Sequence, residues 1–230
     1  HQAINDDASI GIIPSGTGSD FIRFLKIPRD FKQSVHLIKN SPVRKIDVGK
    51  IIYTSPETSQ DNQHKYFINI SDFGLGAEVV NTVSAIPSGK RGAFSYYLGL
   101  LSTIRNYKSK NVRIVFDDTQ EVTGRFLIGA VANGRIFGGG MLIAPEAQPD
   151  DGYFDVILID EMKRMETVIN SRYLYNGKLL THPKVQLKRA KNIKVFTDPG
   201  ETVNIEYDGE LGKTTPVEYQ LLEKSVSFRF

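Results

Sequence analysis

The chain contains no cysteine, which excludes a disulfide scaffold and thiolate metal sites and fits a reducing compartment. No apolar run approaches the roughly 18 residues a membrane span needs, and the first residues show no basic-then-apolar signal pattern. An excess of one charge is missing too. The 29 Lys and Arg against 26 Asp and Glu leave a formal charge of +3. The basic residues are spread along the chain, so no nucleic-acid partner is expected. His1, His36, His64 and His182 show no ligand spacing. Repeats and low-complexity tracts are absent, and a soluble, cytoplasmic protein is the expectation.

What is present is 230 residues, 40% of them hydrophobic, enough for one large or two small domains with a sizeable core. Ser9 to Pro14 reads as a short buried strand, Gly16-Thr17-Gly18-Ser19-Asp20 as a turn, and Asp20 to Lys26 as a helix ended by Pro28. A second helix is expected from Phe31 to Lys39. From residue 43 the period changes to two. Val112/Ile114/Phe116, Phe154/Val156/Leu158, Val203/Ile205/Tyr207 and Val226/Phe228/Phe230 alternate with polar residues. Asn133-Gly134, Asp151-Gly152, Asp198-Pro199-Gly200 and Asp208-Gly209 punctuate them.

The expected fold is mainly β: an antiparallel, two-sheet, sandwich-like domain with an inserted helix from about Ala93 to Tyr107 and another from Met162 to Leu180. Residues 55–64 read as a polar loop. One strand–turn–helix at residues 9–26 belongs to parallel α/β architecture, yet one such unit cannot cover both faces of its strand. Residues 1–42 therefore read as the C-terminal remnant of an α/β domain and 43–230 as the β-rich domain. Residues 1–40 are expected to be poorly ordered or to dock on a neighbour. The unpaired edge of that unit favours association with another chain, a homodimer included.

Several segments could carry chemistry. Residues 14–21, with Gly16, Thr17, Gly18 and Asp20, sit where a strand enters a helix, and outward backbone amides there suit a phosphate. The plainer alternative is a glycine turn with Ser19 or Asp20 capping the helix. Gln148, Asp151 and Tyr153 lie in one turn rich in oxygen donors for a hard cation such as Mg²⁺, or form an ordinary Asp-Gly turn. Asp208-Gly209-Glu210 is by spacing an Asp-Gly hairpin, or a pair of carboxylates that orients and deprotonates a hydroxyl. Gly138-Gly139-Gly140 leaves bare backbone beside a strand. The helix at 93–107 has Lys90, Arg91, Arg105, Lys108 and Lys110 at its ends. That arrangement suits an anionic lipid surface, although packing on the sheet is the commoner fate.

In order, these segments resemble the bacterial diacylglycerol kinase/sphingosine kinase-type lipid kinase family. Residues 10–21 are similar to its Gly-Thr-x-Asn-Asp-Phe segment, with Ser19 in place of Asn. Residues 66–79 resemble the opening of its second domain, and Asn133-Gly134 through Asp155-Val156 its central block. Asp208-Gly209-Glu210 is similar to its C-terminal acidic motif. The likeness covers nearly the whole chain, though the family's Gly-Gly-Asp-Gly-Thr segment is not within it.

The resemblance implies an ATP-dependent kinase acting on a lipid hydroxyl, peripheral to a membrane, with nucleotide bound between an α/β and a β-sandwich-like domain. By position, Glu210 would be the general base and Asp208 its companion. Gly16, Thr17, Gly18 and Asp20 would line the nucleotide cleft, and Asp151 with the carbonyls of Gln148 and Tyr153 would hold a structural Mg²⁺. This stretch alone is expected to be inactive. The competing readings are a soluble-metabolite kinase related to NAD kinases and a non-catalytic lipid- or partner-binding β-domain. In the second, Asp208 and Glu210 would face bulk solvent.

Overall fold

A computed structural model of the chain describes residues 8–16, 19–54, 62–85, 93–214 and 216–230. Two helices come first, α1 (Asp20–Phe24) and α2 (Phe31–Asn40). Asp30 starts α2 by accepting the Gln33 amide at 2.9 Å, a side-chain N-cap. Then follow β1 (Val43–Thr54), β2 (Asn62–Phe67), β3 (Ile70–Gly74), α3 (Leu75–Ser84), α4 (Ala93–Ile104), β4 (Lys110–Phe116) and β5 (Gln120–Ala132). After these come β6 (Ile136–Phe137), β7 (Met141–Leu142), β8 (Phe154–Asp160), α5 (Arg164–Asn170) and α6 (Tyr173–Asn176). The chain closes with β9 (Val185–Ala190), β10 (Asn192–Thr197), β11 (Val203–Tyr207), β12 (Glu210–Thr214) and β13 (Val217–Arg229).

Apart from the small β6–β7 pair, the described strands make one continuous antiparallel sheet that folds on itself at β5. The C-terminal part of β5, Ile128 to Ala132, is flanked by β3 and β8, with β11, β12 and β9 outside them. The N-terminal part, Gln120 to Phe126, pairs with β4 and leads to β10, β13, β1 and β2. The register of β5 against β8 shifts between Phe126 and Ile128. That bulge turns Phe126 into the core between the two halves while Leu127 and Ile128 both face the other way. One long strand thereby serves two packed sheets, the sandwich-like arrangement expected from the period-two pattern.

The inner core holds Phe73, Phe154, Val156 and Ile205 from one half against Ile51, Phe67, Ile114 and Ile193 from the other. Phe67 and Phe154 stack across it with centroids 5.6 Å apart. A second core covers the outer face of the β3–β5–β8 half. There Ile128, Ala130, Ile157 and Ile159 meet Val79 and Val83 of α3 and Leu100 and Ile104 of α4. β8 is thus buried on both faces, which is why its sequence is nearly all apolar.

Four expectations are corrected. Ser9 to Pro14 is not a buried strand: Ile10 and Ile13 are exposed, and one parallel bridge, Ile10 to Phe228, is its only ladder contact. Residues 8–16 and 19–40 dock on this chain itself, through that bridge, α2 against β13 and α1 against β6. The helix expected over 162–180 is broken. Ser171 donates its hydroxyl to Val168 O at 2.7 Å, α6 continues with tight i→i+3 bonds, and Gly177 ends it in the left-handed region. α4 packs chiefly along α3, with Leu100 and Ile104 reaching the core on the sheet's outer face, and leaves Phe94, Tyr97 and Leu98 exposed. The predicted loop at 55–64 lies largely outside the described residues, β2 beginning at Asn62.

Candidate active site

Asp208 and Gly209 have φ of 47° and 89°, the double left-handed conformation of a two-residue hairpin turn, with Tyr207 opposite Glu210. Gly209 takes this shape without strain, and Asp is among the few side chains that tolerate it. The turn is also anchored. The Asp208 carboxylate accepts the backbone amides of Ile68, Asn69 and Ile70 at 2.8, 3.1 and 3.1 Å, and its own amide donates to Ile70 O at 3.0 Å. Asn69 O in turn receives the amides of Asn133 and Gly134 at 2.9 and 2.8 Å. Asn133, fully buried, donates its side-chain amide to Asp47 O and Ile68 O, both at 2.9 Å. The acidic turn and the Asn133-Gly134 corner are therefore one rigid unit.

This unit closes the polar end of a cavity of about 360 Å³. Asn69, Asp208 and Gly209 line it from the sheet, Ser19 and Asp20 from α1, and Glu206 from β11. Its other walls are apolar: Val79 and Val80 of α3, Leu100 of α4, Phe137, Met141 and Leu174. The start of the chain and its acidic tail thus share one crevice.

Asp20 is held there by the Gly139 amide, 2.7 Å from its carboxylate, and by Arg23 at 3.2 Å. The triple glycine serves as a close-approach surface for Asp20. Ser19 does not cap α1; its hydroxyl accepts a bond from Arg29 instead. Gly16 lies in the bend before the helix, and Thr17 and Gly18 are outside the described residues. Glu210 is exposed beyond the turn and is not among the residues lining the cavity.

Sequence reasoning overlooked two acids. Glu206 and Asp72 are directly opposite on β11 and β3, and both are buried. Glu206 accepts the Gly209 amide at 2.9 Å, and Asp72 accepts the Ala77 amide at 2.8 Å in the first turn of α3. A Cβ on Gly76 would lie 2.4 Å from the Asp72 carboxylate, so only glycine lets the acid sit against the helix. Burial pushes Asp72 up to about 7, and burial together with the Asp72 charge pushes Glu206 well above the ordinary range. The two carboxyls face each other across the β11–β3 pair, each raising the cost of ionising the other. Burial also raises Asp208, against the three amides that favour its ionised form. The available signal was an acid in the middle of a strand whose neighbours Ile70, Phe73, Ile205 and Tyr207 demand burial on both faces.

Asp151 lies in a second acidic corner. Asp47, in the bulge of β1, accepts the Gly152 and Lys224 amides at 2.8 and 2.7 Å and donates its own amide to Pro149 O. The Asp151 carboxylate is ion-paired with Arg189 and accepts the Tyr153 amide at 3.1 Å, while Gln148 is exposed in the same turn. Both Asp151 oxygens therefore already have protein partners. As arranged, the residues hold a guanidinium where a divalent ion would bind, so they do not fit Mg²⁺.

The fold is a sandwich-like β domain with an acidic turn lining a largely apolar cavity. Residues 70–228 match the model of the YegS C-terminal NAD kinase β-sandwich-like domain, and residues 2–51 match the diacylglycerol kinase catalytic domain. The chain belongs to the diacylglycerol kinase/YegS-like family. It is 30% identical over 205 residues to a diacylglycerol kinase of Staphylococcus saprophyticus, covering 88% of this chain and 63% of that protein. A diacylglycerol kinase of Staphylococcus epidermidis is 29% identical over 221 residues, covering 94% and 64%. The chain thus spans less than two thirds of these relatives. The crystal structure of a candidate diacylglycerol kinase from Bacillus anthracis superposes with a TM-score of 0.74 at 27% identity, covering 99% of this chain and 70% of its own.

Proposed function

We propose that this chain is part of an ATP-dependent lipid kinase that phosphorylates the hydroxyl of a diacylglycerol-type or long-chain-base lipid. The observation that carries the proposal is the cavity, whose walls of Val79, Val80, Leu100 and Met141 run up to the anchored Asp208. An aliphatic chain fits such walls, and its hydroxyl would then lie at the carboxylate end. The hydroxyl oxygen attacks the γ-phosphorus of ATP, the bond to the ADP oxygen breaks, and the hydroxyl proton passes to a carboxylate. Glu210 takes that proton and Asp208 orients the pair. Gly16, Thr17, Gly18 and Asp20 border the nucleotide, in a domain ending near residue 42. Because the chain spans 63% of its S. saprophyticus relative, we expect it to transfer no phosphate alone.

The exposed Phe94, Tyr97 and Leu98 of α4, with Met165 and Ile169 of α5, would rest on the membrane that supplies the lipid. No helix among the described residues is long and apolar enough to cross one. The test is the full-length protein with ATP, Mg²⁺ and diacylglycerol or a long-chain base in mixed micelles, comparing Glu210→Gln and Asp208→Asn. Each substitution is expected to lower kcat at least about a hundredfold. Full activity in Glu210→Gln removes that residue as the base, and turnover of a soluble alcohol without lipid removes the lipid reading.

A further inference from the structure

We propose that Asp72 and Glu206 are positioning residues for the proposed phosphoryl transfer: as a buried cross-strand pair they fix the Asp208-Gly209 turn against the start of α3. The inference rests on the function proposed above, and neither residue is given a part in the chemistry. Three contacts carry it. Glu206 holds the Gly209 amide at 2.9 Å, Asp72 holds the Ala77 amide at 2.8 Å, and Glu206 and Asp72 are cross-strand neighbours. The chain of contacts runs from the turn that carries Asp208 to the helix whose Gly76, Val79 and Val80 wall the cavity. A substrate that moves α3 would therefore load the turn, and the reverse.

The unit is cheap to hold only while a proton lies in it. The second oxygen of Asp72 is buried with no hydrogen-bond partner among the described residues, so a proton on one acid is what lets it face Glu206. If both acids ionise, two like charges share a site from which water is excluded. The relief available to Glu206 is to swing toward the cavity it lines, which releases the Gly209 amide. Nearby titratable groups act in the same direction. Asp208 on the same hairpin and Tyr219 on β13 interact electrostatically with Glu206, and Tyr107, after α4, with Asp72 and with Glu78 of α3. Asp20 faces the same cavity from α1. None of these groups is a cation that could stabilise the doubly ionised pair.

The test uses the full-length protein, isotope-labelled, with wild type, Glu206→Gln, Asp72→Asn and Glu206→Ala. Glu206→Gln can still accept from Gly209 and donate to Asp72, so it is the conservative rescue. The Gly209 amide resonance is followed from pH 5 to 9. It should move with pH in the wild type, stay flat in Glu206→Gln, and lie displaced at every pH in Glu206→Ala. In the lipid kinase assay, the alkaline limb of the wild-type kcat/KM profile should shift up by at least about one pH unit in Glu206→Gln. Glu206→Ala should lose about tenfold or more in kcat with little change in KM for ATP. A Gly209 amide indifferent to pH and to all three substitutions overturns the proposal. So does an amide that responds while the Glu206→Gln profile superposes on the wild type's. Should the full-length wild type phosphorylate no lipid at all, the functional reading falls, and the amide titration still decides whether the pair holds the turn.

Discussion

The buried acid pair makes a thermodynamic prediction that can be tested without turnover. Asp72 keeps its proton to about pH 7 in the folded chain, against an ordinary value of 3.8. In the unfolded chain the same carboxyl ionises near pH 4. Between those limits the native state binds more protons than the unfolded state, so stability must fall as pH rises. Each unit of separation is worth about 1.4 kcal/mol, and three units set a ceiling of about 4 kcal/mol. Coupling between the two acids will reduce this. Asp72→Asn keeps an acceptor for the Ala77 amide and gives Glu206 a neutral donor, so it removes most of that loss. The expected result is a wild-type stability that drops by about 1–3 kcal/mol from pH 5 to pH 8, the part of that ceiling lying above pH 5, and a much flatter Asp72→Asn curve that lies above it at pH 8. Urea unfolding followed by tyrosine fluorescence suits a chain with 10 Tyr and no Trp. Exposed acids held by lysine bonds, Glu166 by Lys184 and Glu223 by Lys191, are lowered and titrate below this window, so they do not mask it. Wild-type stability that is level or rising over the window, or an Asp72→Asn curve as steep as the wild type's, would refute the reasoning.

Other substitutions probe other parts of the structure. Asp47→Ala strands the buried amides of Gly152 and Lys224 and should cost about 2–5 kcal/mol in urea unfolding, with Asp47→Asn milder; a loss under 1 kcal/mol would show that those amides find other partners. Phe94→Asp with Leu98→Asp removes apolar surface that is 72% and 48% exposed. The pair should lower sedimentation with anionic vesicles about tenfold while leaving Tm within 2 °C, as rough magnitudes, and unchanged binding would remove α4 as the docking face. Arg189→Gln frees Asp151, so added Mg²⁺ should raise Tm more in that variant than in the wild type. Equal shifts in the two proteins would mean the turn is not a cation site.

The features legible in the sequence were those that local chemistry decides. Asp208-Gly209 announced a two-residue hairpin because few residue pairs take two positive φ values, and the alternation in β4 announced a strand with one face in a core. Local chemistry also misled. Asp117 and Asp118 make a turn with φ of 48° and 55° without the glycine that would have flagged it. No helix is expected over α3, whose β-branched Val79, Val80 and Val83 have weak helix propensity. It is a helix because Asp72 caps its first turn and α4 packs along Val79 and Val83.

Sequence alone determined the β-rich class, the site of the acidic turn and the likeness to lipid kinases, since each rests on residues close together in the chain. Tertiary structure alone decided that Asp20 and Asp208 meet in one cavity, that Glu210 lies outside its lining, and that Asp72 and Glu206 are buried opposite each other. The last of these depends on the pairing of β11 with β3. That register brings together residues more than a hundred positions apart, and two acids disturb each other strongly only where folding has removed the water that would otherwise separate them.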